Sequence, residues 1–485
     1  MRTIFGPVIV LGFLAHACWA GGPQKSRPAD PVPAPADEPP VVRLVISPAA
    51  EPVPALKYRL LPTIGERTHG NAAIDYEVAL NRHLPPIDEN AKVNPWLDLP
   101  PDGLPRKNVE ALLKPYAALF TALEQASRRD TCDWQLPIAR DGFNTQLDQF
   151  QGIRVSAKLL ALKARLQIAG DDLDGALSSM RTIFKLSQDC NHGRVLITSL
   201  IACAAAAQNT DTLQAFVQHP KAPNLYWALT DLPFPLVDCR PAVDVEAMAV
   251  DYEFPQLAGF RSRRLGADEA RHQSDQMLAR WFRDMKGMGE TGIKTLEDAR
   301  AKFASAARAA NDKQALLDSG WSKADVAAMA PEQIAWLIAD YHWKVCRDEL
   351  FKWAHVPAPK RIAGIERSNE RLKAFLSTDS NPLADFEFAK FAPAVIPSLA
   401  ATDRRDRAIA LFRVIEALRL DAAAHQGRLP SSLDDVAAVP IPVDPVSGKP
   451  FVYRLNTGGT ADLETPAVHP NNRVYGRHFV IQVRK

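Results

Sequence analysis

Apolar residues recur every three or four positions between residues 173 and 184, and this spacing predicts one face of an amphipathic helix. The apolar positions are Leu173, Ala176, Leu177, Met180, Ile183 and Phe184. Residues 155–168 carry two apolar stripes, which is typical of a helix covered on two sides. Gly170 allows the left-handed conformation that ends a helix, and the two aspartates after it can cap the next one. The pattern therefore predicts a helical hairpin over residues 156–187.

The predicted hairpin resembles a tetratricopeptide unit, in which a small residue on each helix flanks a Gly-Asp turn. Ala164 and Ala176 stand at the small positions, although Gly170 lies one place from the usual glycine and Leu160 replaces the expected aromatic residue. A clean recurrence at the tetratricopeptide period of about 34 residues is not evident elsewhere in the sequence. A generic antiparallel hairpin is therefore the open alternative.

Further apolar stripes predict helices on both sides of this hairpin. Residues 106–123 and 331–353 each carry one stripe, and Pro331 suits the first turn of its helix. Residues 195–217 are apolar on most sides, which predicts a central helix. Together these patterns predict an α-helical domain over residues 56–400.

The pattern changes in residues 401–485, where a helix is followed by strand signals. Residues 404–425 predict an amphipathic helix, residues 451–455 alternate between the two faces of a strand, and residues 474–483 predict a second strand. We expect this helix to pack on a small antiparallel sheet. The predicted fold class is mainly α, with an irregular, tetratricopeptide-like helical layer and a small C-terminal α+β module.

The N-terminal residues predict export. Arg2 precedes an apolar run and then small residues, a pattern typical of a signal peptide over residues 1–20 with cleavage after Ala17 or Ala20. The apolar run is too short to span a bilayer, so we expect a periplasmic or extracellular protein without a transmembrane span in the mature chain. A lipoprotein anchored at Cys18 is the alternative.

Residues 21–55 are dominated by proline, alanine and acidic residues, a composition that predicts a disordered linker.

Over all 485 residues, 47% hydrophobic and 24% charged residues indicate a globular protein. A formal net charge of +2 gives no reason to expect a nucleic-acid partner. Five cysteines follow Cys18, so at least one of these five is unpaired or pairs between chains.

Two motifs in the sequence are candidate ligand sites. Residues 287–292 match GxGxxG, but a helical pattern precedes them, and such glycines hold phosphate only between a strand and a helix, so we expect a flexible loop. His342 and Cys346 are four residues apart on a predicted helix and can share a metal ion. A third ligand is not nearby in the sequence, and HExxH is absent, so a buried Cys346 beside an ordinary histidine is favoured.

The remaining candidates favour structural roles. Arg261, Arg263 and Arg264 predict a solvated basic face. Trp134 is expected as a core anchor, with Asp133 as a polar group in an aromatic pocket the alternative. GxSxG and SxxK motifs are absent, and sequence spacing cannot reveal a pair of catalytic carboxylates. We therefore assign no catalytic, cofactor-binding or metal-binding residue and expect no cofactor.

Several phrases together resemble a family of exported, uncharacterised proteins typical of planctomycete bacteria. They are LKYRLLP at 56–62, GNAA at 70–73, CDW at 132–134, APNLYWALTDLP at 222–233, DELFKW at 348–353, and GRLPSSLDDV followed by VDPVSGKPFVYRL within 427–455. The resemblance spans nearly all of the mature chain and implies one shared architecture. It supplies no catalytic residues.

The C-terminal phrase is also similar to the globular end of type II secretion pseudopilins, which carry LPxSLxxL and DPxGxPFxY. The matching stretches are residues 429–433 and 444–451. The helix before them lies mid-chain and carries the charged run at 404–407, which argues against pilin-like polymerisation. Asp444, Pro445, Ser447 and Gly448 are turn formers, and we expect them to shape a turn before a strand.

Two functions remain open. The first is an exported, non-enzymatic scaffold whose helical layer presents a concave surface to a protein or peptide. The second is a hydrolase of envelope polymers, with a site between the helical domain and the C-terminal module. A pocket that holds two acids or a Ser/His pair would favour the hydrolase. The oligomeric state is left open.

Overall fold

The computed structural model describes residues 41–285, 293–310, 313–376, 386, 392, 394–466 and 476–484. The predicted signal peptide, the first part of the predicted linker and the GxGxxG motif lie outside these residues. Within the described ranges, no helix combines the length and the apolar character needed to cross a membrane.

Helices make up most of the described chain, as predicted. The helices are α1 Ala72–His83, α2 Glu89–Lys92, α3 Asn94–Leu97, α4 Arg106–Leu113, α5 Ala117–Ala126, α6 Ile138–Asp141, α7 Asp148–Ala169, α8 Leu173–Asn191, α9 Leu196–Phe216, α10 Tyr226–Thr230, α11 Arg240–Ala247, α12 Ala249–Glu253, α13 Leu257–Ser262, α14 Ala267–Met285, α15 Leu296–Ala309, α16 Lys313–Asp318, α17 Lys323–Ala328, α18 Pro331–Phe351, α19 Ala358–Leu376 and α20 Val395–Ala424. The strands are β1 Val41–Ile46, β2 Thr68–Asn71, β3 Arg129–Thr131, β4 Val452–Leu455, β5 Thr460–Glu464 and β6 His478–Val483. The fold class, mainly α with a small sheet near the C-terminus, is confirmed.

The predicted hairpin is present as α7 and α8, and α9 packs against both helices. Ser179 Oγ lies 2.8 Å from Gln167 Oε1 across the α7–α8 turn. Along α8 and α9, Ser187 Oγ donates to the Ala202 carbonyl at 2.7 Å, and Asn209 Nδ2 donates to the Met180 carbonyl at 2.7 Å. These pairings run in opposite directions along the two helices, so α8 and α9 are antiparallel. The small residues of α9 allow the close approach, and its burial on most sides confirms a central position.

The turn between α7 and α8 differs in one detail from the prediction. Gly170 has a φ of −95°, and Asp171 is the left-handed residue, with a φ of 62°. Aspartate tolerates this conformation because its short polar side chain can bond locally. Asp171 accepts hydrogen bonds from Lys221 Nζ at 2.8 Å and pairs with His219 Nε2 at 2.8 Å. Asp172 caps α8 as predicted, through the Gly175 N–H at 3.0 Å.

A four-stranded sheet with the order β1-β6-β5-β4 forms near the C-terminus. The β4–β5 and β5–β6 pairs are antiparallel, but β1 runs parallel to β6. The sheet is therefore mixed, and the prediction of a disordered linker over residues 21–55 is wrong for residues 41–46. The VVRLVI sequence of β1 is rich in β-branched residues, and Leu44 and Ile46 are fully buried. The proline-rich flanks of this stretch hid the strand in the average composition.

The predicted boundary at residue 400 does not separate two hydrophobic cores. One core joins apolar residues of β1, the helices up to Val237, most of α20 and the C-terminal sheet. The other lies mainly between Cys239 and Leu399. Helix α20 begins at Val395, before the expected start at residue 404, and contributes to both cores. The C-terminal sheet and most of α20 thus belong to the same hydrophobic core as the helices up to Val237.

Candidate functional site

The end of helix α8 meets the loop after β3. Trp134 is buried there, with its ring centroid 4.7 Å from that of Phe150 and 6.2 Å from that of Tyr76. Trp134 Nε1 donates to the Asp189 carbonyl at 2.7 Å. This contact holds the loop on the last turn of α8, and the Cys132 thiol donates to the same carbonyl with Sγ at 3.6 Å. The expectation that Trp134 is a core anchor is therefore confirmed.

Three possible ligand atoms converge at this junction. The Cys132 sulfur, an Asp189 carboxylate oxygen and a His192 ring nitrogen all lie within 4.8 Å of one another. We refer to these three residues as the Cys–Asp–His cluster. Asp189 and His192 are brought together by their i, i+3 spacing at the end of α8, and Asp189 Oδ1 lies 3.9 Å from His192 Nδ1. The Asp189 side chain is fully buried, whereas that of His192 is 53% exposed.

Two side chains, the buried Tyr76 and the partly exposed Lys185, orient the Asp189 carboxylate. Tyr76 donates its hydroxyl to Oδ2 at 2.9 Å, and the Lys185 ammonium donates to Oδ1. Burial raises the pKa of Asp189, while the Lys185 charge and hydrogen bond oppose that rise. Lys185 is itself 14% exposed, so the pair lies near the surface. The carboxylate thus has Oδ2 bound by the neutral Tyr76 hydroxyl and Oδ1 bound by the Lys185 ammonium, which lies near enough to the surface to move away.

The electrostatics of the cluster do not suit thiol nucleophilic catalysis. Burial, reinforced by the charge of Asp189, raises the pKa of the Cys132 thiol well above its usual value. Burial also lowers the pKa of His192. The thiolate is the reactive form, and a reactive cysteine needs an environment that lowers its pKa. Free Cys132 is therefore held as a thiol, despite its place beside a histidine and an aspartate.

A second group contains two acids, Glu253 and Asp284. Glu253 is fully buried and pairs with Arg280, whose Nε lies 2.5 Å from Oε1. Asp284 accepts hydrogen bonds from Arg283 Nε at 2.8 Å and from Asn144 Nδ2 at 3.1 Å. Burial raises the pKa of Asp284, but its hydrogen bonds, above all the one from Arg283, outweigh burial and lower that pKa. A general acid or base must reach its substrate, and these two carboxyls are enclosed among arginine partners.

A third group joins distant parts of the chain. Arg419 and Glu416 are both fully buried on α20, and Arg419 Nη1 lies 3.0 Å from both Glu416 carboxylate oxygens. The remaining guanidinium contacts are to backbone carbonyls: Ser47 at 3.0 Å, Ala222 at 2.6 Å and Pro223 at 3.3 Å. One side chain therefore connects the end of β1, the loop before α10 and α20. This arrangement is structural.

Two residues of the charged run at 404–407, Asp406 and Arg407, are buried. Arg407 forms a bidentate ion pair with Asp444, at 2.8 and 2.6 Å. Asp406 accepts a hydrogen bond from the Leu236 N–H at 2.7 Å, and burial raises its pKa to about 7. Asp444 also accepts from the Ser447 N–H at 3.1 Å, and Gly448 has a φ of 70°. The expected turn geometry is confirmed, and the sequence did not reveal the buried arginine partner.

The other sequence candidates remain apart from the Cys–Asp–His cluster. Cys346 is buried, and His342 packs with its ring centroid 5.3 Å from that of Phe375. In the part of the chain that the structure describes, only the Cys–Asp–His cluster brings three or more such ligand atoms this close together. Asp133 is exposed and accepts from the Gln135 N–H at 3.0 Å, so it is not a polar group in an aromatic pocket.

The predicted basic face divides in two. Arg263 and Arg264 are exposed, and Arg263 pairs with Glu269. The solvated interpretation is wrong for Arg261, whose Nε donates to the buried Asp340 carboxylate at 2.9 Å.

Sequence reasoning also missed Asp189 and His192. Their i, i+3 spacing in the stretch DCNH is a local signal, but Cys132 lies 57 residues from Asp189 and joins them only through the fold.

Comparison of the chain with known protein families, with curated proteins and with solved structures found no match.

Proposed function

We propose that the protein is a non-enzymatic scaffold that binds an apolar segment of a protein partner. The observation that carries this proposal is a set of exposed, large apolar side chains on two adjoining loops. Val53 is 91% exposed and Phe234 is 74% exposed, and Leu56 is also exposed. We call these three residues the apolar loop surface. Large exposed apolar groups mark interaction sites when several gather on one part of the surface.

The two loops that carry this surface are fastened to each other. Trp227 Nε1 donates to Glu51 Oε1 at 2.5 Å, and Arg59 Nη1 pairs with Asp231 Oδ2 at 2.7 Å. The loop before Trp227 is held in turn by Asn224, whose Nδ2 donates to the Glu416 carbonyl at 2.9 Å. A surface held in place before binding loses little conformational entropy when a partner docks.

Export to the periplasm or the extracellular space belongs to the same proposal. Its support is the predicted signal peptide over residues 1–20. Fractionation of the producing cells, followed by N-terminal sequencing, tests it. Recovery of the chain in the cytoplasm with Met1 retained would contradict it.

The envelope-polymer hydrolase is the weaker candidate. The acid pair Glu253 and Asp284 is the feature that would favour it, but both carboxyls are buried and paired with arginine. Incubation of the purified protein with cell-envelope polymers tests this candidate directly. Release of soluble fragments that Asp284→Asn abolishes would favour the hydrolase over the scaffold.

Crosslinking in intact cells tests the scaffold. We expect a defined protein partner to be crosslinked to the wild-type chain and lost with Val53→Ser plus Phe234→Ser. Val452→Ser is the matched control, because Val452 is also exposed but lies on strand β4. A partner retained by the double variant, or lost equally in the control, would overturn the assignment of this surface.

A further inference from the structure

We infer that Cys132, Asp189 and His192 form a binding site for one borderline transition-metal cation of the zinc class. The inference is independent of the proposed scaffold function. It rests on three different donor types that the fold brings within 4.8 Å of one another. Two come from the end of α8, and the third comes from the loop that Trp134 fixes against it.

The donor set fits this class of cation. Zinc is bound by cysteine sulfur, histidine nitrogen and carboxylate oxygen at about 2.0–2.3 Å, which places neighbouring ligand atoms roughly 3.3–3.8 Å apart in a tetrahedral site. The spread of up to 4.8 Å in the cluster therefore needs a contraction of about 1 Å. His192 can supply that movement because its side chain is 53% exposed and lies just after the last residue of α8.

The surroundings of Asp189 support ligation. Tyr76 holds Oδ2 from the protein interior at 2.9 Å, and a hydrogen-bonded carboxylate of this kind is what orients metal ligands in proteins. Oδ1 faces His192 and is occupied by the Lys185 ammonium. A metal ion would replace that ammonium at Oδ1, and Lys185 can turn toward solvent because it lies near the surface. The Cys132 thiol would release its proton to solvent on binding, because cysteine ligates zinc as the thiolate. Three protein ligands leave a fourth position on the exposed side of His192.

A purely structural role makes the opposite prediction. If Asp189 serves only to pair with Lys185, a metal ion will not compete for its oxygen. Removal of the ammonium then has no consequence for metal affinity. The Lys185→Met variant therefore separates the two roles, since it removes the competing cation and leaves all three ligands in place.

Titration of the full chain with Co²⁺, followed by absorption, tests the site. We expect one Co²⁺ per chain, a thiolate-to-cobalt charge-transfer band, and loss of that band when Zn²⁺ is added. Cys132→Ser should abolish the band, and His192→Ala should weaken affinity at least tenfold. Lys185→Met should tighten binding. Cys346→Ser is the matched control and should retain the band, because this buried cysteine lies outside the cluster.

Folding of each variant is checked by circular dichroism. His192→Ala and Lys185→Met change partly exposed side chains, so they report on binding even if Cys132→Ser does not fold. Failure of wild-type protein to develop the charge-transfer band would overturn the inference. A band that survives Cys132→Ser would overturn it as well, because the thiolate ligand would then lie elsewhere. Unchanged Co²⁺ affinity in both His192→Ala and Lys185→Met would also overturn it.

Discussion

Asp189 and Glu416 are both fully buried carboxylates with a cationic partner, but their partners differ in kind. Arg419 beside Glu416 is also fully buried, and its other contacts are to three backbone carbonyls from distant segments. Lys185 beside Asp189 is 14% exposed and has a half-exposed histidine next to it. The Arg419–Glu416 pair is fixed inside the protein, whereas Asp189 can exchange Lys185 for another cation.

The difference shows where chemistry is possible in this protein. A buried charge whose partner is fixed by backbone groups has no freedom to bind anything else. A buried charge whose partner is a flexible side chain near the surface can accept a new ligand at modest cost. We therefore propose metal binding at Asp189 and a structural role for Glu416.

The largest expected effect comes from breaking the sealed pair. Arg419→Met leaves Glu416 buried without its cationic partner and removes donors from the carbonyls of Ser47, Ala222 and Pro223. We expect a loss of about 3–5 kcal/mol in the free energy of unfolding, measured by urea denaturation. Arg428→Met is the control, because Arg428 is exposed, and its midpoint should stay nearly unchanged. A loss below about 1 kcal/mol for Arg419→Met would remove the distinction between the two pairs.

Breaking the exchangeable pair should have a smaller effect. Lys185→Met leaves the buried Asp189 with the Tyr76 hydrogen bond and with partly exposed neighbours that can let water reach it. We expect a loss of about 1–3 kcal/mol in the free energy of unfolding without metal. Saturating Zn²⁺ should restore stability, because a ligand that binds only the folded state shifts the equilibrium toward it. A cost equal to that of Arg419→Met, with no recovery in Zn²⁺, would contradict the comparison.

Glu246 and Asp406 extend the comparison of buried carboxyl groups, because each accepts a hydrogen bond from a backbone N–H. Burial raises the pKa of Glu246 from 4.5 to about 7 and that of Asp406 from 3.8 to about 7. Between these limits the folded state binds more protons than the unfolded state, so stability should fall as the pH rises toward 7. The slope is at most about 1.4 kcal/mol per pH unit for each group.

Urea denaturation between pH 5 and pH 8 measures this effect. Glu246→Gln keeps an acceptor for the Leu196 N–H and should remove the Glu246 share of the slope. Asp406→Asn should do the same at the Leu236 N–H. An unchanged slope in both variants would show that these carboxyls do not titrate in this window.

The smallest effect is expected at the surface. Asp171 is 57% exposed and Lys221 is 68% exposed, and their 2.8 Å pair gains little in water. Lys221→Ala should leave the urea midpoint unchanged within error, and so provides the baseline for the buried pairs. A clear shift would mean that the Asp171 turn depends on its cation.

Local patterns predicted much of the fold and little of the site. The α7–α8 hairpin follows from the helical repeat, because one apolar face must find a partner. Strand β1 is rich in β-branched residues, but the prolines before and after it made the whole stretch resemble a linker. Its place in the sheet depends on pairing with β6, more than 400 residues later. The spacing of Asp189 and His192 at the end of one helix was visible in the sequence, but it could not show that Cys132 joins them.

The sequence by itself determined the mainly helical class, the α7–α8 hairpin, the Asp444 turn and the burial of Trp134, because each depends on spacing or turn chemistry within a short stretch. The tertiary structure alone decided that Arg407 pairs with Asp444 inside the protein, that β1 joins the C-terminal sheet as an edge strand, and that Cys132 meets Asp189. Those contacts join segments far apart in the chain, and only the collapse of a common core selects which distant charges, strands and thiols come together.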